Sequence, residues 1–347
     1  MAAVDLNLAT LQCAQDGRVL TVRVEAPPFD YMTAAMQDDL VRLVEAVHFD
    51  AGVGAVVVTG GVPGRYITHF SISDVLAGAE SLPQAVPRPV ASLVVRAVTA
   101  LAAVGPARRI LERTLLSSLV RTARFQAACA AILRSPAVWI AAIDGPCGGG
   151  GLELSGFFDL RLATPDARVM LPELSVGLTT TFGGQRLATL VGPTRALALM
   201  LDADALTAAQ AHALGWVDHV VDGDVVARAQ ALGARYARRP RAVVAAQKAI
   251  FTDDVPPAES LTREAIAQVV GLSSPTTRAA LACWLDRQDP SGDSTFLTDP
   301  QPWRDGRALD MNPTRAARGR VGPRRRARPA GTRPGRAARG CAPAAGG

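Results

Sequence analysis

The pattern of apolar and polar residues along the chain has two periods, one of two residues that is typical of strands and one of three to four residues that is typical of helices. Residues 18–25 alternate between apolar and polar positions, which predicts a strand that pairs as a hairpin with residues 11–13. Residues 33–49 carry apolar side chains at helical spacing, whereas residues 55–59 and 138–143 are short apolar runs typical of strands buried on both faces. Strands that alternate with helices predict an α/β fold.

Prolines and glycines divide the rest of the chain. Residues 90–133 are helical in character with a break at Gly105-Pro106, which predicts two helices, and seven further helical segments follow residue 182. The predicted units, in chain order, are a core over residues 1–205 with an enlarged helical insertion near 80–131, a C-terminal helical region over 206–288, an extended segment over 289–312 and a disordered tail over 313–347.

The tail differs from the rest of the chain in charge and composition. Residues 313–347 hold ten arginines and no Asp, Glu or Lys, so the net charge of +6 leaves −4 on the residues before them. Too few large apolar side chains are present to offset the entropy of ordering, which predicts disorder. Few aromatic residues alternate with the arginines, so an RNA-binding arm is the less favoured interpretation and nucleic acid is not the expected partner.

Composition indicates a soluble, cytoplasmic protein. Hydrophobic residues make up 49% of the chain, which allows a substantial core. The five cysteines show no CxxC spacing and no histidines at ligand spacing, so we expect neither a metal site nor a disulfide framework. No apolar stretch is long enough to span a bilayer, and no basic segment precedes an apolar run at the N-terminus, so we expect no membrane partner.

Two carboxylates follow segments that allow close backbone approach. Glu153 follows the glycine run at residues 148–151, and Glu173 follows Pro172. Glycines at the start of a helix let a ligand oxygen approach backbone N–H groups at the positive helix end. Two carboxylates beside such a donor can carry out acid–base chemistry on a substrate whose developing oxyanion the donor stabilises. Tight packing of a strand against a helix explains such glycines equally well, and a phosphate loop is disfavoured because no Gly-Lys-Ser/Thr follows.

Five ordered sequence blocks lie between residues 137 and 221. They cover residues 140–155, 158–163, 171–178, 183–187 and 206–217. Together the blocks resemble the crotonase superfamily, which comprises enoyl-CoA hydratases, isomerases and their relatives. The resemblance implies a spiral of ββα units with a C-terminal helical region, a homotrimer that can pair into a hexamer, an acyl-CoA thioester as substrate and no separate cofactor.

The resemblance also implies the residues of the site. The thioester oxygen would lie between the backbone N–H groups of Phe70 and Gly150. The further residues expected to contact the substrate are Thr68, His69, Gly149 and Lys248. Two positions depart from the family pattern: His69 stands where glycine is usual, and Ser71 where aspartate is usual. His69 either acts as an acid or shapes the pocket, and Lys248 either approaches the nucleotide phosphates or lies on a solvated helix face.

Because both Glu153 and Glu173 are present, the resemblance implies a hydratase. The pair would hold and deprotonate a water that adds to a 2-enoyl-CoA, while Cα is protonated. Isomerase, hydrolase and decarboxylase activities stay open because the fold uses one oxyanion hole for several reactions, and a non-catalytic RNA-binding homologue is the alternative of another class. The long segment between Phe70 and Gly150 predicts extra helices that cover the acyl pocket or a subunit contact.

Overall fold

Two β-sheets organise the protein in a computed structural model, which describes residues 2–252, 257–288 and 293–306. The strands are β1 (Leu11–Asp16), β2 (Val19–Val24), β3 (Ala55–Gly60), β4 (Val138–Ile143), β5 (Pro146–Gly148), β6 (Leu160–Ala163), β7 (Arg168–Met170), β8 (Leu206–Thr207) and β9 (His219–Val220). The larger sheet has the order β1-β2-β3-β4-β6-β9 and is parallel except for the β1–β2 hairpin. The smaller sheet has the order β5-β7-β8.

Helices cover the larger sheet and form the C-terminal region. The helices before residue 160 are α1 (Ala34–Phe49), α2 (Ile72–Ser81), α3 (Arg88–Ala102), α4 (Gly105–Leu111), α5 (Ser117–Ile132) and α6 (Gly150–Ser155). Those after it are α7 (Gly184–Val191), α8 (Pro193–Asp202), α9 (Ala208–Leu214), α10 (Val225–Tyr236), α11 (Arg241–Thr252), α12 (Pro257–Leu272), α13 (Pro275–Arg287), α14 (Thr295–Thr298) and α15 (Gln301–Arg304). The predicted α/β class, with a parallel sheet and C-terminal helices, is confirmed. None of the described helices is both long and apolar enough to cross a bilayer.

Strand β3 shows why the short apolar runs form the centre of the sheet. All six of its residues are buried. Val56 and Val58 belong to the core cluster that includes α1 and α5, whereas Ala55 and Val57 belong to the cluster that includes α10. Successive side chains of a strand point to opposite faces, so a continuous apolar run is needed where helices cover both.

The insertion contains three helices where the sequence predicts two. Helices α3 and α5 are separated by α4, which begins at Gly105 with Pro106 in its first turn. Proline is tolerated there because the first N–H groups of a helix have no partner within the helix. Gly105-Pro106 therefore starts a helix, and the predicted interruption between helices lies just before this dipeptide, after the end of α3.

The predicted extended segment over 289–312 is wrong for its described part. Residues 293–306 contain the single-turn helices α14 and α15, which bury Phe296 and Trp303 beside Trp284 of α13. Burial of these two aromatic side chains stabilises the fold of a segment that is otherwise mostly polar and contains proline. The predicted disordered tail over 313–347 lies outside the described residues.

Candidate active site

The glycine wall, residues 148–153, joins β5 to α6. Gly149 has φ +44° and ψ −120°, and a Cβ placed on it would lie 2.8 Å from Glu173 Oε1. The N–H of Glu153 donates to the carbonyl of Gly149, at 2.9 Å. Because C=O and N–H point to opposite sides of a trans peptide, the N–H of Gly150 points out of the helix start. None of the described residues accepts a hydrogen bond from it.

The histidine wall, residues 68–71, faces the glycine wall. Met32 donates its N–H to the carbonyl of His69 at 2.7 Å, so the N–H of Phe70, in the same peptide, points away from Met32. This second N–H also has no acceptor within the described part of the chain. A Cβ placed on Gly150 would lie 2.9 Å from the Phe70 ring, so the two walls are in contact. The structure thus brings together the two predicted oxyanion donors.

His69 is a buried, neutral part of its wall. Its Nδ1 lies 2.6 Å from the carbonyl of Phe70, which can only accept, so Nδ1 carries the proton and Nε2 accepts from Ser294 Oγ at 2.8 Å. The ring stacks on Tyr31 at 4.4 Å and meets the edge of Trp284 at 5.3 Å. Burial lowers the pKa of His69 to about 4. These contacts favour the pocket-shaping alternative over an acid.

Three other sequence positions have structural contacts. The Thr68 hydroxyl donates to the carbonyl of Phe29 at 2.7 Å, and Ser71 caps α2 by accepting from the N–H of Asp74. Lys248 Nζ donates to Asp159 at 2.7 Å, and its side chain is only 11% exposed. Burial lowers the pKa of Lys248, and the Asp159 charge acts in the opposite direction. The hydrogen bonds of Lys248 hold α11 to the start of β4 and β6, and none of them reaches either wall.

The two predicted acids lie close together in different surroundings. Glu153 Oε2 accepts hydrogen bonds from the backbone N–H groups of Thr181, Phe182 and Gly183, at 3.1, 2.7 and 2.8 Å. Glu173 is also buried, and its Oε2 has no hydrogen-bond partner among the described residues. Backbone donors favour a charged carboxylate, whereas a buried oxygen without a partner favours the neutral acid.

Burial shifts both acids toward the protonated form. Burial raises the pKa of Glu173 to about 8. Burial, followed by the charges of Glu173 and Glu264, raises the pKa of Glu153, while the N–H groups of Phe182 and Gly183 act in the opposite direction. Two neighbouring carboxylates in an apolar site resist double ionisation, so ionisation of one disfavours ionisation of the other. The N–H donors make Glu153 the member of the pair that holds a negative charge more readily.

Two residues that the sequence analysis missed support the loop that holds Glu153. Glu264 of α12 accepts hydrogen bonds from the N–H groups of Gly184 and Gln185, at 3.0 and 2.9 Å, and so caps α7. Gln126 of α5 donates to the carbonyl of Thr181 at 2.8 Å. Both side chains are buried. The only sequence signal for Glu264 is its place on the apolar stripe of a predicted helix, where a carboxylate requires a partner.

The insertion helices enclose a cavity next to the two walls. This insertion cavity has a volume of about 140 Å³ and is lined by residues of α2, α3, α5 and α12, together with Phe70 and Thr181. Phe70 belongs to the histidine wall, and Thr181 belongs to the loop that holds Glu153. The cavity therefore begins beside the donors and the acids and extends into the inserted helices.

The described residues provide no evident metal site. None of their His, Cys, Asp and Glu side chains gather in groups of three or more that could hold an ion. Cys13, Cys129 and Cys147 are free.

Comparisons with known proteins show which proteins this chain is similar to. A sequence model of the enoyl-CoA hydratase/isomerase family matches residues 109–287, about half of the chain. A probable enoyl-CoA hydratase of Bacillus subtilis (strain 168) is 26% identical over 285 residues, which are 81% of this chain and 97% of that protein. A glyoxysomal fatty acid beta-oxidation multifunctional protein MFP-a of Cucumis sativus is 45% identical over 111 residues, but the match spans only 15% of its length and 31% of this chain.

A solved structure extends the likeness to the fold. The crystal structure of an enoyl-CoA hydratase from Bacillus halodurans superposes with a TM-score of 0.66 at 14% identity, over 79% of this chain and 99% of that chain. At this identity the likeness bears on the fold alone. Together with the sequence matches, it confirms the resemblance that the five blocks indicate.

Proposed function

Because the chain belongs to the enoyl-CoA hydratase/isomerase family, we propose that it adds water to the double bond of a 2-enoyl-CoA and forms a 3-hydroxyacyl-CoA. The observation that carries this proposal is the pair of buried carboxylates with unequal surroundings. Glu153 accepts three backbone N–H groups, whereas Glu173 has an oxygen without a partner among the described residues. An acid and a base side by side are what the addition of water requires.

The oxyanion donors act on the thioester carbonyl. Its oxygen accepts hydrogen bonds from the N–H groups of Phe70 and Gly150, which stabilise the negative charge that develops when the double bond is attacked. Both N–H groups are directed by carbonyls of their own peptides that are already hydrogen bonded, to Met32 and Glu153. They are therefore oriented before the substrate arrives.

The two acids divide the proton transfers. Ionised Glu153 takes a proton from water as the water oxygen bonds to Cβ, and neutral Glu173 supplies a proton to Cα. The product gains one water, and a proton then passes from Glu153 to Glu173 to restore the pair. The apolar surroundings that raise the pKa of Glu173 keep it protonated near neutral pH.

Exposed apolar side chains support self-association as part of the proposal. Val243, Ile250 and Phe251 of α11 are 63, 65 and 74% exposed. A helix that leaves large apolar side chains in water is typical of a protein interface. A homotrimer or a pair of trimers is the assembly we propose, and sedimentation of the purified protein measures it.

Turnover of crotonyl-CoA in H₂¹⁸O tests the proposed reaction. We expect ¹⁸O in the 3-hydroxy position, and a loss of rate of about 100-fold or more in both Glu153→Gln and Glu173→Gln. Glu45→Gln, at an exposed position of α1, is the matched control and should keep full activity. Migration of the double bond in a 3-enoyl-CoA without incorporation of ¹⁸O would instead support the isomerase alternative.

A further inference from the structure

The insertion cavity is mostly apolar, but one polar atom inside it is left without a partner. Gln268 of α12 lines the cavity, and its Oε1 is buried with no hydrogen-bond partner among the described residues. Around it lie the apolar side chains of Val95, Val98, Phe125 and Val269. An apolar ligand that filled this space would leave the amide unpaired, which is unfavourable.

Three other polar side chains of the cavity already have partners. Thr122 donates its hydroxyl to Ser118 O at 3.0 Å, and Arg121 lies 3.5 Å from Asp38. Gln126 donates its amide to backbone carbonyls. Among the residues that line the cavity, Gln268 carries a buried amide oxygen that a ligand can satisfy without breaking a described contact.

The position of the cavity identifies the part of the ligand that reaches it. Phe70 and Thr181 belong both to the cavity and to the proposed active site. A thioester whose oxygen binds the N–H of Phe70 has its acyl chain at this opening, so the chain extends toward α3, α5 and α12. This step rests on the proposed function, because it takes the ligand to be an acyl-CoA.

We propose that the insertion cavity is an acyl subsite for chains that carry a hydroxyl group, and that Gln268 binds this hydroxyl. A side-chain amide carries an acceptor oxygen and a donor NH₂ group, and a 180° rotation of the amide exchanges their positions. A partner that can both donate and accept therefore pairs with either orientation. A hydroxyl does both. The aliphatic part of the chain packs against the apolar residues, and the hydroxyl pairs with the buried amide oxygen of Gln268, which lacks a partner among the described residues.

Substrate pairs that differ only by a terminal hydroxyl test the subsite. We expect the kcat/KM of ω-hydroxy-2-hexenoyl-CoA or ω-hydroxy-2-octenoyl-CoA to exceed that of the corresponding unsubstituted thioester by about tenfold or more. Gln268→Leu should abolish or reverse this preference. Gln37→Leu makes the same change at another residue that lines the cavity and should leave the preference intact.

Calorimetry with saturated thioesters separates the subsite from catalysis. Wild type should bind ω-hydroxyhexanoyl-CoA or ω-hydroxyoctanoyl-CoA more tightly than hexanoyl-CoA or octanoyl-CoA, and Gln268→Leu should remove the difference. Equal binding and equal turnover of both members of each pair, with no change in Gln268→Leu, would overturn the subsite while hydration of the plain substrates upholds the proposed function. If wild type hydrates no enoyl thioester, the proposed function fails, and the binding preference alone decides the subsite.

Discussion

The glycine wall and the histidine wall present similar N–H donors but are built in different ways. In the glycine wall, residues 148–153 orient the donor through a local turn at Gly149 and the first hydrogen bond of α6. In the histidine wall, Met32 orients the donor, and the His69 ring is held by Ser294, which is 225 positions away along the chain. The N–H of Gly150 is oriented by neighbouring residues, whereas the N–H of Phe70 is oriented by a segment that is distant in sequence.

This difference explains the departure from the family pattern at His69. The imidazole is surrounded by Tyr31 and Trp284 and is bonded to Ser294, in the described segment after α13. The same segment is tied to the chain before the wall by an ion pair between Arg65 and Asp293. The histidine therefore links its wall to the C-terminal segment, whereas a glycine at this position could not.

Gly150→Ala should have the largest effect because the added methyl group overlaps the place where the two walls touch. The added Cβ would lie 2.9 Å from the Phe70 ring and 3.0 Å from Met32 Sδ, so these two side chains or the glycine wall itself must shift. We expect kcat for crotonyl-CoA to fall by about 10²–10³, the loss typical of one oxyanion donor. Gly105→Ala is the control, since nothing lies within 4 Å of its added Cβ. An unimpaired Gly150→Ala enzyme would show that the walls do not need this close approach.

His69→Ala should weaken the packing and hydrogen bonding of the histidine wall and leave the glycine wall unchanged. It removes a buried ring and leaves Ser294 Oγ without its acceptor. We expect the free energy of unfolding to fall by about 3 kcal/mol and kcat to fall about tenfold, because the peptide after Phe70 loses its side-chain support. Urea titration and steady-state kinetics measure the two effects. A variant with lower stability and unchanged kcat would mean that the ring supports the fold without positioning the donor.

The pH profile should separate the walls further. Glu173 lies beside the glycine wall and has a pKa raised to about 8, so the rate should fall about tenfold per pH unit above that value as the acid loses its proton. His69 has a pKa lowered to about 4 and should not titrate between pH 5 and 9. A decline centred near pH 6.5 that disappears in His69→Ala would contradict this assignment.

The same pKa shift predicts how stability depends on pH. Folded Glu173 holds its proton up to about pH 8, whereas a solvated carboxyl loses it near 4.5. Its contribution to the free energy of unfolding is therefore present below pH 4.5 and is lost as the pH rises toward 8. Glu173→Gln should reduce this loss, so denaturation at pH 5 and pH 9 should differ less in the variant than in wild type.

Ser294→Ala should have the smallest effect. It removes one hydrogen bond to His69 and leaves the aromatic packing in place. We expect a loss of about 1 kcal/mol in the free energy of unfolding and a two- to threefold lower kcat. Ser81→Ala, at an exposed serine, is the control. If Ser294→Ala matches the control in both measurements, the link to the C-terminal segment does not support the donor.

Much of the sheet could be predicted from the sequence. Strand β4 has the predicted bounds, residues 138–143, and the helical pattern at 33–49 forms α1, whose N-cap Thr33 accepts from the N–H of Met36. Short apolar runs and caps depend on a few neighbouring residues, so their signal is local. The roles of Gln126 and Glu264 could not be predicted, because their partners lie 55 to 135 positions away.

The sequence by itself determined the α/β class, the strand centres and the presence of two acids beside glycine-containing turns, because propensity, periodicity and turn chemistry act over a few residues. Only the tertiary structure decided that Glu153 Oε2 receives three N–H groups while Glu173 Oε2 has no partner among the described residues, and that His69 donates to the carbonyl of Phe70. Burial and hydrogen-bond partners, which set the charge of an acid, are supplied by segments that meet only in the folded chain.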